Sequence, residues 1–329
     1  MPAASTERFS LEVLPVPADD FAASVRAGLT APRKVLEPRF FYDALGSALF
    51  DAICELPEYY VTRAETEVLT IHAAEIAAAL GGPLRIVELG SGTARKTRIL
   101  LDAILARQRT LDYAPLDVDA GMLEKVGNAL LGEYEGIRVM ALRGDFRDPA
   151  RAIATLPPTH DRTVILFLGS SIGNLDPSEA AAMLRNLRSA MRKGDALFLG
   201  VDLRKSKSVL EPAYDDALGV TASFNLNLLQ RINRELGGHF DLARFAHRAL
   251  YDETLGRIEM HLVSRGAQTV RIADYEVKFA DGETIHTESS WKYDDASLAA
   301  LAAEAGLTVE RKWVDGREWF ADVLLTASA

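Results

Sequence analysis

An α/β fold, with a parallel sheet covered on both faces by helices, is what this sequence predicts, on three observations. Strand-like and helix-like stretches alternate between residues 84 and 203. The first strand-like stretch ends in a glycine-rich turn, Gly90-Ser91-Gly92. After an intervening region without that rhythm, a helix and two strands close the chain. Regular alternation implies parallel pairing, because a helical crossover must return the chain to the start of each parallel neighbour.

Leu84–Leu89 reads as the first strand and is followed by a helical pattern from about Lys96 to Arg107. A second strand ends near Leu116-Asp117, with helix from Asp119 to Leu131. Arg138–Leu142 and Val164–Leu168 are the third and fourth strands. The next helix has Asp176 as N-cap and Pro177 in its first position. Ala180, Met183, Leu184, Leu187 and Met191 line one face, and Gly194 stops it. Leu197–Leu203 is the fifth strand. Beyond residue 204 come helices at about 208–218 and 224–236, then strands at about 256–264, 268–278 and 283–289. Asp294–Ala305 reads as a helix closed by Gly306, and strands at 307–314 and 319–326 flank the hairpin signal Asp315-Gly316.

The chain has 329 residues, 48% of them hydrophobic and 26% charged, enough for one large or two modest domains. A net charge of −10 without any block of Lys and Arg argues against nucleic acid and anionic membrane as partners, leaving a small molecule. Cys54 stands alone, so no intrachain disulfide forms. The opening Met-Pro-Ala-Ala-Ser-Thr-Glu-Arg carries no apolar signal segment, which together with the lone thiol predicts a cytoplasmic protein. The most apolar stretch, Val164–Leu168, is strand-sized and too short to cross a bilayer. Six histidines are scattered without metal-ligand spacing, so no metal site is expected.

Val87-Glu88-Leu89-Gly90-Ser91-Gly92-Thr93 sets a turn where doubly wound sheets bind nucleotides. A dinucleotide fingerprint would place a third glycine at position 95, where this chain has Arg95. S-adenosylmethionine has no pyrophosphate and needs no such glycine. Asp117, at the end of the second strand, suits both ribose hydroxyls. Asp145, after the third, suits the adenine amino group, with Phe146 near the ring. The closing strand pair is likewise typical of S-adenosylmethionine-dependent methyltransferases and not of simple dehydrogenases.

Longer segments narrow the reading. L-P-E-Y-Y-V-T-R from Leu56, E-L-G-S-G-T-A-R-K-T from Glu88, F-L-G-S-S-I-G-N-L from Phe167, A-Y-D-D from Ala213, R-I-E-M from Arg257 and T-E-S-S from Thr287 follow in order. Together they closely resemble the bacterial L-histidine Nα-methyltransferases of ergothioneine biosynthesis, over nearly the whole chain. That resemblance implies a class I, Rossmann-like methyltransferase core, 64–204 plus 292–329, and a second α+β domain, 1–63 plus 205–291, that binds substrate and closes over it. It implies trimethylation of the α-amine of L-histidine to hercynine, and the protein is expected to act as a monomer. Cofactor contacts then fall on Gly90, Lys96, Asp117, Asp145 and Phe146. Amino-acid contacts fall on Tyr59, Asn174, Tyr214, Glu288 and Ser290, with Met260 beside the imidazole and Tyr42 and Phe50 as aromatic lid residues.

These residue types suit the chemistry. Methyl transfer from a sulfonium is an in-line displacement that needs a neutral amine, correctly aimed, and an outlet for one proton. Asn174 and Tyr214 can donate to the α-carboxylate. Glu288 and Ser290, two apart on a strand, share a face. The carboxylate can accept an imidazole N–H, while the hydroxyl serves the other nitrogen in whichever tautomer is bound. Tyr59 is expected at the amine as the catalytic residue, orienting the lone pair. The rings of Tyr42, Phe50 and Tyr59 would favour a methylated cation. Rival readings are an N-methyltransferase of another amino acid such as a tryptophan derivative, a nicotinamide-dependent oxidoreductase, and a non-catalytic S-adenosylmethionine sensor.

Overall fold

The computed structural model describes residues 8–15, 20–158 and 160–327, which divide into two compact units. The opening stretch read as lacking a signal segment lies, up to residue 7, outside the described residues.

The first unit comprises the described residues before 18, 64–203 and those from 293 onward. Its eight-stranded sheet has the spatial order Phe9–Val13, Ile137–Arg143, Leu111–Asp117, Arg85–Leu89, Thr163–Phe167, Ala196–Asp202, Phe320–Ala327, Leu307–Val314. Pairing is parallel as far as Ala196–Asp202, and Phe320–Ala327 runs antiparallel to both of its neighbours. Arg85–Leu89, Thr163–Phe167 and Ala196–Asp202 are buried along their whole length, which requires cover on both faces. This is the Rossmann-like methyltransferase architecture expected from the sequence. The chain order reverses at Arg85–Leu89, which lies between Leu111–Asp117 and Thr163–Phe167. A crevice opens beyond the carboxyl ends of strands at such a switch point.

Local signals behave as their chemistry dictates. Asp176 and Glu179 form a capping box around Pro177, starting the helix Pro177–Ala190. Asp294 caps Asp295–Glu304 through Ser297 N at 2.8 Å. At the hairpin signal, Asp315 Oδ1 accepts from the amides of Trp319 and Phe320, each at 2.7 Å, so the connection is a carboxylate-organised loop and not a two-residue turn.

The domain boundaries differ from expectation at the N-terminus, which the sequence assigned to the second domain. Phe9–Val13 instead pairs in parallel with Ile137–Arg143 at the edge of the first unit's sheet. Gly127, in the helix Ala120–Glu133, makes room for it, since a Cβ there would overlap the Phe9 ring.

The second unit comprises the described residues within 18–63 together with 204–292. A four-stranded sheet runs Lys34–Val35, Thr284–Trp291, Arg257–Ser264, Phe245–Asp252. Phe245–Asp252 was not anticipated. The single strand expected at 268–278 is a hairpin, Gln268–Ile272 with Tyr275–Phe279, turned at Ala273 with φ of 49°. The helix expected to reach 218 stops at Tyr214, because Asp216 is used to cap the next helix. Its oxygens accept from Val220 N at 3.0 Å and Thr221 N at 2.7 Å, which starts Val220–Leu236 early.

Candidate active site

In the first unit, the loop after Arg85–Leu89 is folded around two glycines with positive φ, Gly90 at 67° and Gly92 at 47°, which disfavour a Cβ. Its amides at Gly90 and Ser91 donate to Leu116 O, at 2.8 and 3.3 Å, tying it to the neighbouring strand end. Asp117 fixes the far side of the loop. Its Oδ2 accepts from Gly92 N at 2.9 Å and its Oδ1 from Asp119 N at 3.1 Å. A carboxylate has about four lone-pair sites, so acceptor capacity remains for ribose hydroxyls. Phe146 lies against Phe167, ring centroids 5.6 Å apart, and a Cβ on Gly90 would come within 4.0 Å of its edge. The buried Ser91 Oγ has no hydrogen-bond partner among the described residues. Backbone cradle, carboxylate, aromatic wall and open hydroxyl fit a nucleoside.

Two of the residues expected to hold the cofactor have partners within the protein. The Asp145 carboxylate accepts from Arg147 N and Nε at 2.9–3.0 Å, so an adenine contact there must share it. Lys96 Nζ is ion-paired with the buried Glu65. Burial alone would lower the lysine's pKa, but the charge and hydrogen bond of Glu65, with the nearby Asp322 and Glu88, together outweigh it and raise it. Glu65 Oε1 also accepts from Gly169 N at 2.7 Å. Beside it, Asp322 is fully buried with neither oxygen hydrogen-bonded among the described residues, and burial followed by the Glu65 charge pushes its carboxyl well above the usual carboxylate range. Neither carboxyl was singled out in the sequence. A lone Asp within the apolar run Phe320–Leu325 was the available signal; Glu65, among other polar residues on its helix, offered none.

Glu88 ties this strand to its surroundings, accepting from Thr97 Oγ1 at 2.6 Å and from the Tyr113 hydroxyl. Burial raises its carboxyl from 4.5 to about 7, against the two hydrogen bonds. Between those values the folded chain keeps a proton that the unfolded chain has released, so this group's contribution to stability falls as pH rises. We expect the urea midpoint to drop between pH 5 and pH 7 more steeply for the native protein than for Glu88→Gln. Equal slopes would show that Glu88 titrates normally.

Asn174 ends the 3-10 turn Ser171–Asn174 in this same unit and is half-buried. It follows Thr163–Phe167, the strand that pairs directly with Arg85–Leu89, which carries the Gly90 loop. Asn174 therefore belongs to the same unit as the residues expected at the nucleoside, whereas the other expected amino-acid contacts belong to the second unit.

There, Tyr42 and Phe50 meet edge to face at 5.7 Å, Phe50 and Tyr59 at 6.2 Å, and Tyr59 and Tyr214 at 6.1 Å. Tyr42 is 47% exposed, whereas Tyr59 and Tyr214 are buried. Phe224, absent from the sequence reading, completes the wall at 5.9 Å from Tyr42 and 6.1 Å from Phe50. Burial, then the neighbouring Tyr214, Cys54, Tyr42 and Glu288, raises the Tyr59 phenol well above 10. It is a neutral hydroxyl at ordinary pH, able to orient an amine and poorly able to take its proton.

Strand register assembles the other end. Glu288 pairs with Met260 and Ser290 with Ile258 across the antiparallel strands, so all four side chains share one face. A register shift between His286 and Glu288 interrupts the ladder, and Thr287 through Ser290 are all buried. Ser290 Oγ accepts from the Tyr214 hydroxyl at 3.0 Å. The Tyr214 hydrogen expected at a carboxylate is thus directed to Ser290 in this structure. Lys292, 2% exposed and also missed in the sequence, donates to Tyr214 Oη at 2.8 Å and Ser290 Oγ at 2.9 Å. Its place two residues beyond Ser290 was the only clue. No cluster of three or more potential metal ligands occurs among the described residues.

Residues 21–327 match the family model described as histidine-specific methyltransferase, SAM-dependent. Histidine N-alpha-methyltransferase of Mycolicibacterium smegmatis is 48% identical over 91% of this chain and 92% of its own. The Mycobacterium tuberculosis protein of the same name is 45% identical over 88% and 90%. Ergothioneine biosynthesis protein 1 of Neurospora crassa is 31% identical over 88% of this chain but only 32% of its own length.

Proposed function

We propose that this chain, which belongs to the family of histidine-specific, S-adenosylmethionine-dependent methyltransferases, trimethylates the α-amino nitrogen of L-histidine to hercynine for ergothioneine biosynthesis. The observation that carries the substrate assignment is the shared face of Glu288, Ser290 and Met260. There a carboxylate acceptor, a hydroxyl and a thioether match an imidazole's two nitrogens and its flat apolar body.

The cofactor supplies an electrophilic methyl group on a sulfonium. Asp117 holds the ribose, Phe146 and Asp145 the adenine, and Gly90 with Lys96 the remainder. The protein's own task with histidine is positioning. Glu288 accepts the imidazole N–H, Ser290 bonds the second nitrogen, and Met260 packs on the ring. Asn174 donates to the α-carboxylate. Tyr59 holds the amine lone pair in line without itself acting as the base, so the proton leaves to water. Tyr42 and Phe50 add aromatic faces that favour the accumulating ammonium charge. The Tyr214 hydroxyl serves the imidazole end by holding Ser290. We further propose that the protein acts as a cytoplasmic monomer, without nucleic acid or membrane. Its acidic balance and single cysteine support that reading, and no described helix is long and apolar enough to cross a membrane.

Incubation with S-adenosylmethionine and each amino acid in turn, followed by mass spectrometry, tests the function. We expect methylated product from L-histidine, ending at the trimethyl form, and none from tryptophan. Turnover of tryptophan in preference to histidine would favour the rival substrate, and cofactor binding without any product would favour a sensor.

A further inference from the structure

We infer that Lys292 makes the site select the neutral imidazole of histidine and reject the imidazolium, by fixing Ser290 as a hydrogen-bond donor towards the ligand. The inference rests on the reading of Glu288 and Ser290 as the imidazole contacts.

Three observations carry it. Lys292 is 2% exposed and its Nζ lies 2.9 Å from Ser290 Oγ. An ammonium has three donors and no acceptor, so the serine oxygen must spend a lone pair on it. The second lone pair accepts from the Tyr214 hydroxyl, itself held by Lys292 at 2.8 Å. With both lone pairs taken, the Ser290 hydrogen is all that remains to offer. Its partner must be a bare ring nitrogen. Glu288, on the same face, accepts only, and so requires an N–H. One neutral tautomer satisfies both residues. An imidazolium brings a second N–H against Ser290, leaves that donor unsatisfied and sets a positive ring beside the Lys292 ammonium. The same hydrogen bond occupies the lone pair of the ring nitrogen, which would otherwise compete with the α-amine as a nucleophile.

Other ionisable groups around Ser290 bear on a pH test. Glu288 is on its own strand, and Tyr214 ends the helix Lys207–Tyr214. Tyr59, Tyr42 and Cys54 lie beyond Tyr214. Tyr251 and His247 come from the strand Phe245–Asp252, His247 bonding Tyr214 O at 2.8 Å and lying 3.9 Å from Asp215. Burial pushes the His247 pKa below its usual value. Glu259, His261 and His286 belong to the opposite face, where Glu259 pairs with Ser289. Any of these groups would affect every ligand of the site alike, which sets the control.

The experiment is calorimetric binding of L-histidine, and separately of 1,2,4-triazol-3-yl-L-alanine, to the protein saturated with S-adenosylhomocysteine between about pH 5.5 and 8. The triazole keeps an N–H and a bare nitrogen but stays neutral over this range. We expect histidine affinity to fall about tenfold per pH unit below its side-chain pKa of ~6.5, and triazole affinity to stay level. In Lys292→Met the histidine slope should flatten to under about threefold per unit, as the freed lone pair accepts the second N–H. Triazole binding at pH 8 reports that the variant is folded. Histidine affinity that holds or rises on acidification of the native protein would overturn the inference, and needs no variant. An unchanged slope in a folded Lys292→Met would overturn the role of this lysine. Unaltered histidine binding at pH 8 in both Glu288→Ala and Ser290→Ala would instead sink the underlying imidazole assignment.

Discussion

Glu288→Ala is expected to weaken L-histidine binding by about 10- to 100-fold while S-adenosylhomocysteine binds as before. A hydrogen bond to a charged group contributes about 1.5–3 kcal/mol, and each 1.4 kcal/mol is a factor of ten. Glu288 is 9% exposed and paired across the strands with Met260, so its loss leaves a buried imidazole N–H with no carboxylate and little room for water. The residues proposed to hold the cofactor belong to the other compact unit, which is why the two affinities should separate. Glu288→Gln is the finer probe. Its amide oxygen can still accept the N–H but carries no charge, so the loss should be intermediate. Discrimination should follow the same order, because an unpaired polar group in the native site penalises a tryptophan side chain. Isothermal titration with both amino acids reads each effect. Native-like histidine affinity in Glu288→Ala would remove the residue from the imidazole.

Asp117→Ala is expected to weaken S-adenosylhomocysteine binding by a similar factor, again about 10- to 100-fold, through two losses. Ribose hydroxyls lose a charged acceptor, and the glycine-rich loop loses its clamp, since Asp117 accepts from Gly92 N at 2.9 Å. Asp117→Asn keeps one oxygen for Gly92 and should retain part of the affinity. Calorimetry with S-adenosylhomocysteine reads both, and an unchanged dissociation constant in Asp117→Ala would end the ribose assignment. Histidine binding measured without cofactor should be insensitive to this change.

The sheet was legible because its signals are local. Glycine at positive φ, Pro177 behind an N-cap and carboxylates at strand ends each act within a few residues, and the Gly90 loop, Asp117 and the helix after Asp176 lie where those rules put them. The second unit was harder to read. A strand was missed at Phe245–Asp252, and a hairpin was taken for one strand at 268–278, because Ala273 gives no glycine-like sign of its positive φ. Phe9–Val13 was assigned to the wrong unit, since its pairing with residues about 130 positions away leaves no trace in its own five residues.

By itself the sequence determined the alternation of strands and helices over 84–203 and the glycine-rich loop that follows the first of those strands, both of which are properties of neighbours along the chain. Only the tertiary structure decided that Lys292 stands behind Ser290 and Tyr214, that Glu65 and Asp322 share a buried site with Lys96, and that burial lifts the Tyr59 phenol well above its usual range. Those are matters of desolvation and of contact across strand register. Charge, burial and hydrogen-bond direction are set by what packs against a group, and that is fixed when distant segments meet.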